Sequence, residues 1–257
     1  MKLLLNQTMK LLLNQTMKLL LTLALAGAAA GLSAANWPLT ETGGQKLANS
    51  GTEPGLSGYL GISSKADELD AKMTGYEGIL CDGKTTATIP DNPFFSFSDA
   101  EGFTLSIEVK PLEELSEARR SRCQILTKGA DSRQGGWQLR IRNKKTFGPF
   151  YLEFFMFPPG RGKAGTMFNV SIPIISQEWM KITVTMDRKE CRIYVNDTEQ
   201  GKFPCRELPP FCSEPIRIGI YSRGGRFGFP AQFRNLVIER RAVTPASASG
   251  KKYQTLR

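Results

Sequence analysis

The sequence predicts an all-β fold, a two-sheet antiparallel sandwich of jelly-roll type, and three observations carry that prediction. Segments that alternate apolar and polar residues follow one another from Phe103 to Glu239; turn signals separate them at short spacing; and no long helical period interrupts them. Alternation of this kind puts one face of each strand on a core and the other in water.

Phe103–Lys110 alternates strictly, with Phe103, Leu105, Ile107 and Val109 on one face, and Trp137–Arg142 and Met180–Met186 do the same. Further strands are expected at Phe150–Phe157, Cys191–Val195, Ile216–Ile220 and Leu236–Glu239. Between them stand Lys128-Gly129, Arg133–Gly136, Pro158–Gly162, Asn196-Asp197 and Gly224-Gly225, residues that favour turns. Residues 36–74 read as an irregular segment joining the sandwich; its one helical pattern is Ser64–Met73, with Ser64 as N-cap. The sandwich itself is expected over 75–243, followed by a basic, disordered tail over 244–257.

Residues 1–35 read as a signal peptide. Lys18 precedes an apolar run from Leu19 to Leu32, and Ser33-Ala34-Ala35 supplies the small side chains of a cleavage site. The run falls short of the ~20 apolar residues that span a bilayer. Ahead of it, MKLLLNQT occurs twice without change, at Met1–Thr8 and Met9–Thr16, which reads as a duplicated gene start with Met17 as the older initiator. A secreted, periplasmic or cell-surface location follows from this reading.

The first 35 residues hold three lysines and no acid, so the remaining 222 residues carry 31 basic and 24 acidic side chains, net +7. That balance favours polyanionic partners, of which an acidic glycan or an anionic surface suits an exported protein and nucleic acid does not. The chain has no histidine, which excludes histidine-based triads, metal ligands and acid–base catalysis. Its five cysteines contain no C-x-x-C pair, so no zinc site or thioredoxin-like motif is expected. The odd number leaves at least one thiol free or paired between chains; Cys205–Cys212 is the disulfide candidate, against two buried thiols.

With the strands in order, residues 75–242 resemble the laminin G-like branch of the concanavalin A-like lectin/glucanase superfamily. Gly75–Gly83 is similar to the family's opening "G…G-x-x-L-x-F-D-G", with Cys81 in the aromatic slot, and Ala87–Pro93 to "V-x-I-P-D-S-P". Phe103–Pro111 resembles "F-T-I-S-A-W-V-K-P", with Glu108 where tryptophan is usual. Ile125–Gly129 with Gly136–Leu139, Glu178–Thr185 and Cys191–Asn196 follow "I-L-S-K-G…G-W-x-L", "W-H-H-V-A-V-T" and "V-R-L-Y-V-D-G". Ile216–Gly219 and Phe233–Glu239 look like the two closing strands. The resemblance implies a concanavalin A-like jelly roll that binds glycans or proteins through loops at the sheet ends, sometimes with calcium. Arg234-Asn235 stands where the family often has Asp-Asp, and a guanidinium does not ligate calcium, so no metal cofactor is expected; Asp82 and Asp131 are the remaining ligand candidates.

The superfamily also holds glycoside hydrolases, which need two carboxylates flanking the scissile bond. The one Glu-x-Asp here, Glu68-Leu69-Asp70, is followed by Lys72 and Met73 where the second glutamate belongs, and it lies outside the strands. No catalytic residue is expected; a hydrolase or polysaccharide lyase, or a structural subunit of a surface assembly, remain the alternatives to a lectin-like recognition module for a glycan or surface protein. For ligand contact the sequence offers a basic rim. The loops Gly129–Gly136, Pro158–Thr166 and Ser222–Phe229 are expected to converge, bringing Lys128, Arg133, Arg161, Lys163, Arg223 and Arg226 together with the loop aromatics Phe227 and Phe229. Trp137 and Trp179 read as core or sheet-edge residues. Intact-mass analysis of exported protein should give a chain beginning at Ala35 or Asn36; a mass that retains residues 1–34 would overturn the signal-peptide reading.

Overall fold

A computed structural model of the chain describes residues 33–61, 70–112, 122–129, 135–143, 150–160, 163–173, 177–220 and 228–246. The chain divides into two units, Met1–Ser33 and Ala34–Arg257, and the fold is that of the second. Its strands are β1 (Ala34–Trp37), β2 (Lys46–Leu47), β3 (Gly58–Leu60), β4 (Lys72–Met73), β5 (Ile79–Asp82), β6 (Ala87–Ile89), β7 (Phe103–Pro111) and β8 (Arg122–Lys128). They continue as β9 (Gly136–Asn143), β10 (Phe150–Phe157), β11 (Thr166–Ile172), β12 (Met180–Met186), β13 (Glu190–Val195), β14 (Thr198–Pro204), β15 (Ile216–Ile218) and β16 (Pro230–Glu239). Two eight-stranded antiparallel sheets result. The first runs β14-β13-β12-β7-β16-β5-β4, with β1 also on β16; the second runs β11-β10-β9-β8-β15-β6-β3-β2. This is the jelly-roll sandwich that the alternation predicts.

The inward faces of both sheets form one core. Phe103, Leu105, Ile107 and Val109 of β7 and Ile182, Val184 and Met186 of β12 face Trp137, Leu139 and Ile141 of β9 and Leu152 and Phe154 of β10, all buried. Trp137 packs on Phe103 and Phe154 at ring-centroid distances of 6.0 and 6.1 Å. Each such side chain contributes roughly 1.5–3 kcal/mol by leaving water, which outweighs any local preference of the strands.

The amino-terminal segment is more regular than its sequence: β1 to β4 add strands to both sheets. Lys72–Met73, the end of the expected helix, is strand β4, and Asp70 bridges to Thr86; residues 62–69 lie outside the described residues. Thr244–Ala246 has no regular structure, and the rest of the expected tail lies outside the described residues. Among the described residues no helix is long and apolar enough to cross a membrane.

Cys205 and Cys212 are both buried thiols, so the expected Cys205–Cys212 bridge is not formed. Cys205 Sγ donates to the Glu207 carbonyl at 3.2 Å, and Cys212 Sγ accepts from the Glu214 amide at 3.4 Å, so each sulfur is engaged two residues on. Burial pushes both thiols up, and Cys81 and Cys191 further still, which disfavours the thiolate that exchange requires.

Lys128 does not stand at the edge of a basic loop but inside the sandwich. A bulge between Gln124 and Leu126 shifts the alternation of β8, so that Lys128 pairs with Trp137 and turns inward. Its ammonium donates to Asp91 Oδ1 at 2.5 Å and to the Glu214 carbonyl at 2.7 Å, 5.1 Å from the Phe95 ring centroid. Desolvation lowers its pKa below the usual 10.5, with Asp91 opposing. Between the lowered value and 10.5 the unfolded lysine binds more protons than the folded one, so this group makes stability rise with pH across that window. Denaturant melts of wild type and Lys128→Met should therefore show wild type gaining on the variant as pH climbs toward 10.5; a pH-independent difference would contradict the buried ammonium.

Candidate functional site

The outward positions of β7 and β12 build a groove. Between the core residues of β7 stand Thr104, Ser106 and Glu108, and between those of β12 stand Lys181, Thr183 and Thr185. Register sets them side by side: Lys181 opposite Glu108, Thr183 opposite Ser106, Thr185 opposite Thr104. Ser106 Oγ and Thr183 Oγ1 lie 3.0 Å apart. Small hydroxyls thus floor the two central strands. Taller side chains flank them: Arg192 and Tyr194 on β13 on one side, Val237 and Glu239 on β16 on the other. The segment after β16 closes one end. Thr104 Oγ1 donates to the Arg241 carbonyl at 2.7 Å and accepts from the Val243 amide at 2.8 Å, and Val243 and Pro245 join the hydroxyls in lining a cavity of about 210 Å³.

At the other end a polar cluster forms. Strand β16 serves two partners along one edge, β5 over Pro230–Phe233 and β1 over Leu236–Glu239. A bulge between Arg234 and Val237 makes the change of partner, with Asn235 at φ 52° and its amide donating to the Pro38 carbonyl at 3.0 Å. The bulge aims two side chains at Glu108: Arg234 Nε lies 2.7 Å from Oε2, and Asn235 Nδ2 lies 2.9 Å from Oε1. Arg234 also stacks on Trp179, its guanidinium carbon 3.9 Å from the ring centroid. Half-buried Trp179 in turn lines a small apolar notch with Ile172, Pro173, Met180 and Gln200. Lys181 pairs with Asp197 at 2.8 Å, where Asn196 and Asp197, both at positive φ, turn the chain from β13 into β14.

With that geometry in place, residues 82–249 match the laminin G-like model of the concanavalin A-like lectin/glucanases superfamily. The chain belongs to that superfamily. No curated protein matches it. Among solved structures it is similar to the binding domain of Paraclostridial Mosquitocidal Protein 1 (16% identity, 82% of this chain and 49% of that one, TM-score 0.59). It is similar to the botulinum neurotoxin serotype D ligand binding domain in complex with N-acetylneuraminic acid (14%, 81% and 47%, 0.57). It also resembles a structure titled for the dependence of botulinum neurotoxin type C cell entry on two ganglioside molecules (13%, 85% and 50%, 0.57). At these identities the likeness is one of fold, and the chain spans about half of each of those domains.

Two departures from the superfamily pattern, Glu108 for tryptophan and Arg234-Asn235 for Asp-Asp, are thus one feature, because the substituted residues bind each other. The described residues do not fit a calcium centre. Arg234 and Asn235 are committed to Glu108, and Asp82 Oδ1 accepts from the amides of Lys84 and Thr85 and from Thr85 Oγ1, bonds that hold its carboxyl below the usual range. Asp131 lies outside the described residues.

Of the residues expected in the basic rim, Lys128, Lys163 and Phe229 are described. Phe157 opposite Gly136 sets the Pro158–Thr166 loop beside Gly129–Gly136. Strand β15, however, starts at that end, with Ile216 opposite Lys128 and Ile218 opposite Leu126, and runs away from it. Lys163 is exposed; Arg133, Arg161, Arg223, Arg226 and Phe227 lie outside the described residues. Phe229 is no platform: it is 1% exposed and packs edge-on against Phe233 at 6.2 Å. The signal for the groove was present in the sequence as the outward residues of two recognised strands, Thr-x-Ser-x-Glu and Lys-x-Thr-x-Thr, but a hydroxyl on a strand looks the same whether it lines a groove or a flat face. Because Asn235 occupies the left-handed region, and both variants lose its bond to Glu108, Asn235→Val should be less stable than Asn235→Gly by roughly 1–3 kcal/mol. Equal stability of the two variants would mean that the bulge is not strained in this way.

Proposed function

We propose that this protein is a non-catalytic carbohydrate-recognition module, acting outside the cytoplasm, that seats a saccharide in the hydroxyl-floored groove of the first sheet. The observation that carries this reading is the groove itself. A floor of Thr104, Ser106, Thr183 and Thr185 between taller polar walls offers donors and acceptors at the spacing of neighbouring strands, ~4.8 Å, which suits the hydroxyls of a sugar. The sialic acid and gangliosides named for two similar binding domains support the ligand class.

The carboxylates argue against hydrolysis. Glu239 stands opposite Thr104, four residues along β7 from Glu108, so the two are separated by about 13 Å. A glycosidase pair needs about 5–9.5 Å. Each is also ion-paired, Glu108 with Arg234 and Glu239 with Arg241. A glycan array probed with the protein, with and without calcium, should show saccharide binding and no cleavage. Ser106→Leu, which fills the floor and removes the bond to Thr183, should abolish that binding in a variant that far-UV circular dichroism shows to be folded. Binding by Ser106→Leu equal to wild type, or no binding by wild type, would overturn the reading.

A further inference from the structure

The pairing of arginines sets one corner of the first sheet apart. Every arginine with a described side chain lies within 3.6 Å of a carboxylate oxygen, except Arg188 and Arg206. Those two line the same surface cavity of about 400 Å³, together with Lys189, Pro204 and Cys205. All three cations are exposed, Lys189 has no ion pair either, and no carboxylate lines the cavity.

Local structure holds these charges together. Strand β12 turns into β13 through Asp187–Glu190, where Asp187 Oδ1 accepts from the amides of Lys189 and Glu190 at 3.0 and 2.9 Å. Arg188 stands in this turn at φ 64°, a conformation unfavourable to any residue but glycine. Its guanidinium is anchored by carbonyls, with Nη2 donating to Ser98 at 2.6 Å and Nε to Ala100 at 3.2 Å, which leaves Nη1 uncommitted. The Cys205 amide donates to the Lys189 carbonyl at 2.9 Å and so brings Arg206 beside the turn. Neighbouring acids are engaged elsewhere: Asp99 with Arg240, Glu190 with Arg192 and Lys202, and Asp187 with the turn amides. Two guanidinium groups and an ammonium around one cavity suit a dianion better than a single carboxylate, and forked N–H donors match the oxygens of a phosphate.

We infer that this cavity is a binding site, separate from the groove, for a phosphate monoester group, carried on a saccharide or met as the free ion. Calorimetric titration of the protein with glucose 6-phosphate at about 0.15 M salt tests it, with glucose, glucose 6-sulfate and inorganic phosphate as comparisons. Glucose 6-phosphate should bind with a dissociation constant below about 1 mM, glucose should not compete, and the singly charged glucose 6-sulfate should bind more weakly. Affinity for glucose 6-phosphate should rise between about pH 5 and pH 7, as the ester loses its second proton near pH 6. The protein's own charges are constant across that window. The chain has no histidine, and the neighbouring carboxyls all titrate below their usual range. Asp187 does so because the amides of Glu190 and Lys189 outweigh its burial, Asp99 through its own amide and Arg240, and Glu190 through Lys202 and Arg192. Lys189→Gln and Arg206→Gln, both at exposed positions, should each weaken binding severalfold and together at least tenfold, whereas Ser106→Leu should leave it unchanged. Tighter binding of glucose 6-phosphate than of inorganic phosphate assigns the site to a phosphorylated saccharide, and equal binding assigns it to the free ion. Absence of glucose 6-phosphate binding by wild type, competition by glucose, an affinity independent of pH, or unchanged affinity in the double variant would each overturn the inference. So would loss of binding in Ser106→Leu, which would move the anion to the groove.

Discussion

One constraint organises the first sheet: β16 must pair with β7 along one edge and with two successive strands, β5 and then β1, along the other. The ladder to β7 breaks at the point along β16 where β5 gives way to β1 on the other edge. The bulge at Arg234–Val237 is that break. Its cost is a residue in the left-handed region, met here by asparagine, which tolerates that conformation better than most residues do. Its consequence is a local change in where side chains point, which brings Arg234 and Asn235 onto Glu108 and Arg234 onto Trp179.

The groove depends on the same arrangement. Register sets Arg234 opposite Glu108, and the bulge adds Asn235, so both carboxylate oxygens are held from the β16 side. That fixes one end of the groove, as Thr104 and its bonds to Arg241 and Val243 fix the other. The floor between them needs only small side chains. Ser106 and Thr183 bond to each other, which keeps the hydroxyl layer low and ordered without any bulky neighbour.

What was legible in the sequence follows from this. Long strands such as β7 and β12 announce themselves because five or more residues alternate, and their inward faces are in the core as read. Strands β2, β3 and β4 have two or three residues each, too few for any period, and exist because longer strands offer them an edge. Lys128 was misread because a bulge three residues earlier reverses inside and outside, and nothing in Gln124-Ile125-Leu126 marks it. Phe229 was read as a loop aromatic because a phenylalanine in a glycine-rich stretch looks the same in sequence whether it faces a ligand or, as here, packs against Phe233. The Glu108–Arg234 contact was half visible, since both residues stood out against the pattern the chain resembles, but only the pairing of β7 with β16 brings them together.

The two outer faces differ in how they treat charge, and that difference bears on what each can hold. In the groove every described charge has a partner at the periphery, and the floor is uncharged, so a ligand there is met by hydroxyls and exchanges water for sugar at little electrostatic cost. On the second sheet the ions are buried among themselves, an arrangement that contributes little to stability because desolvation offsets the attraction between the charges. A hydrophobic layer of the same volume would serve the fold at least as well.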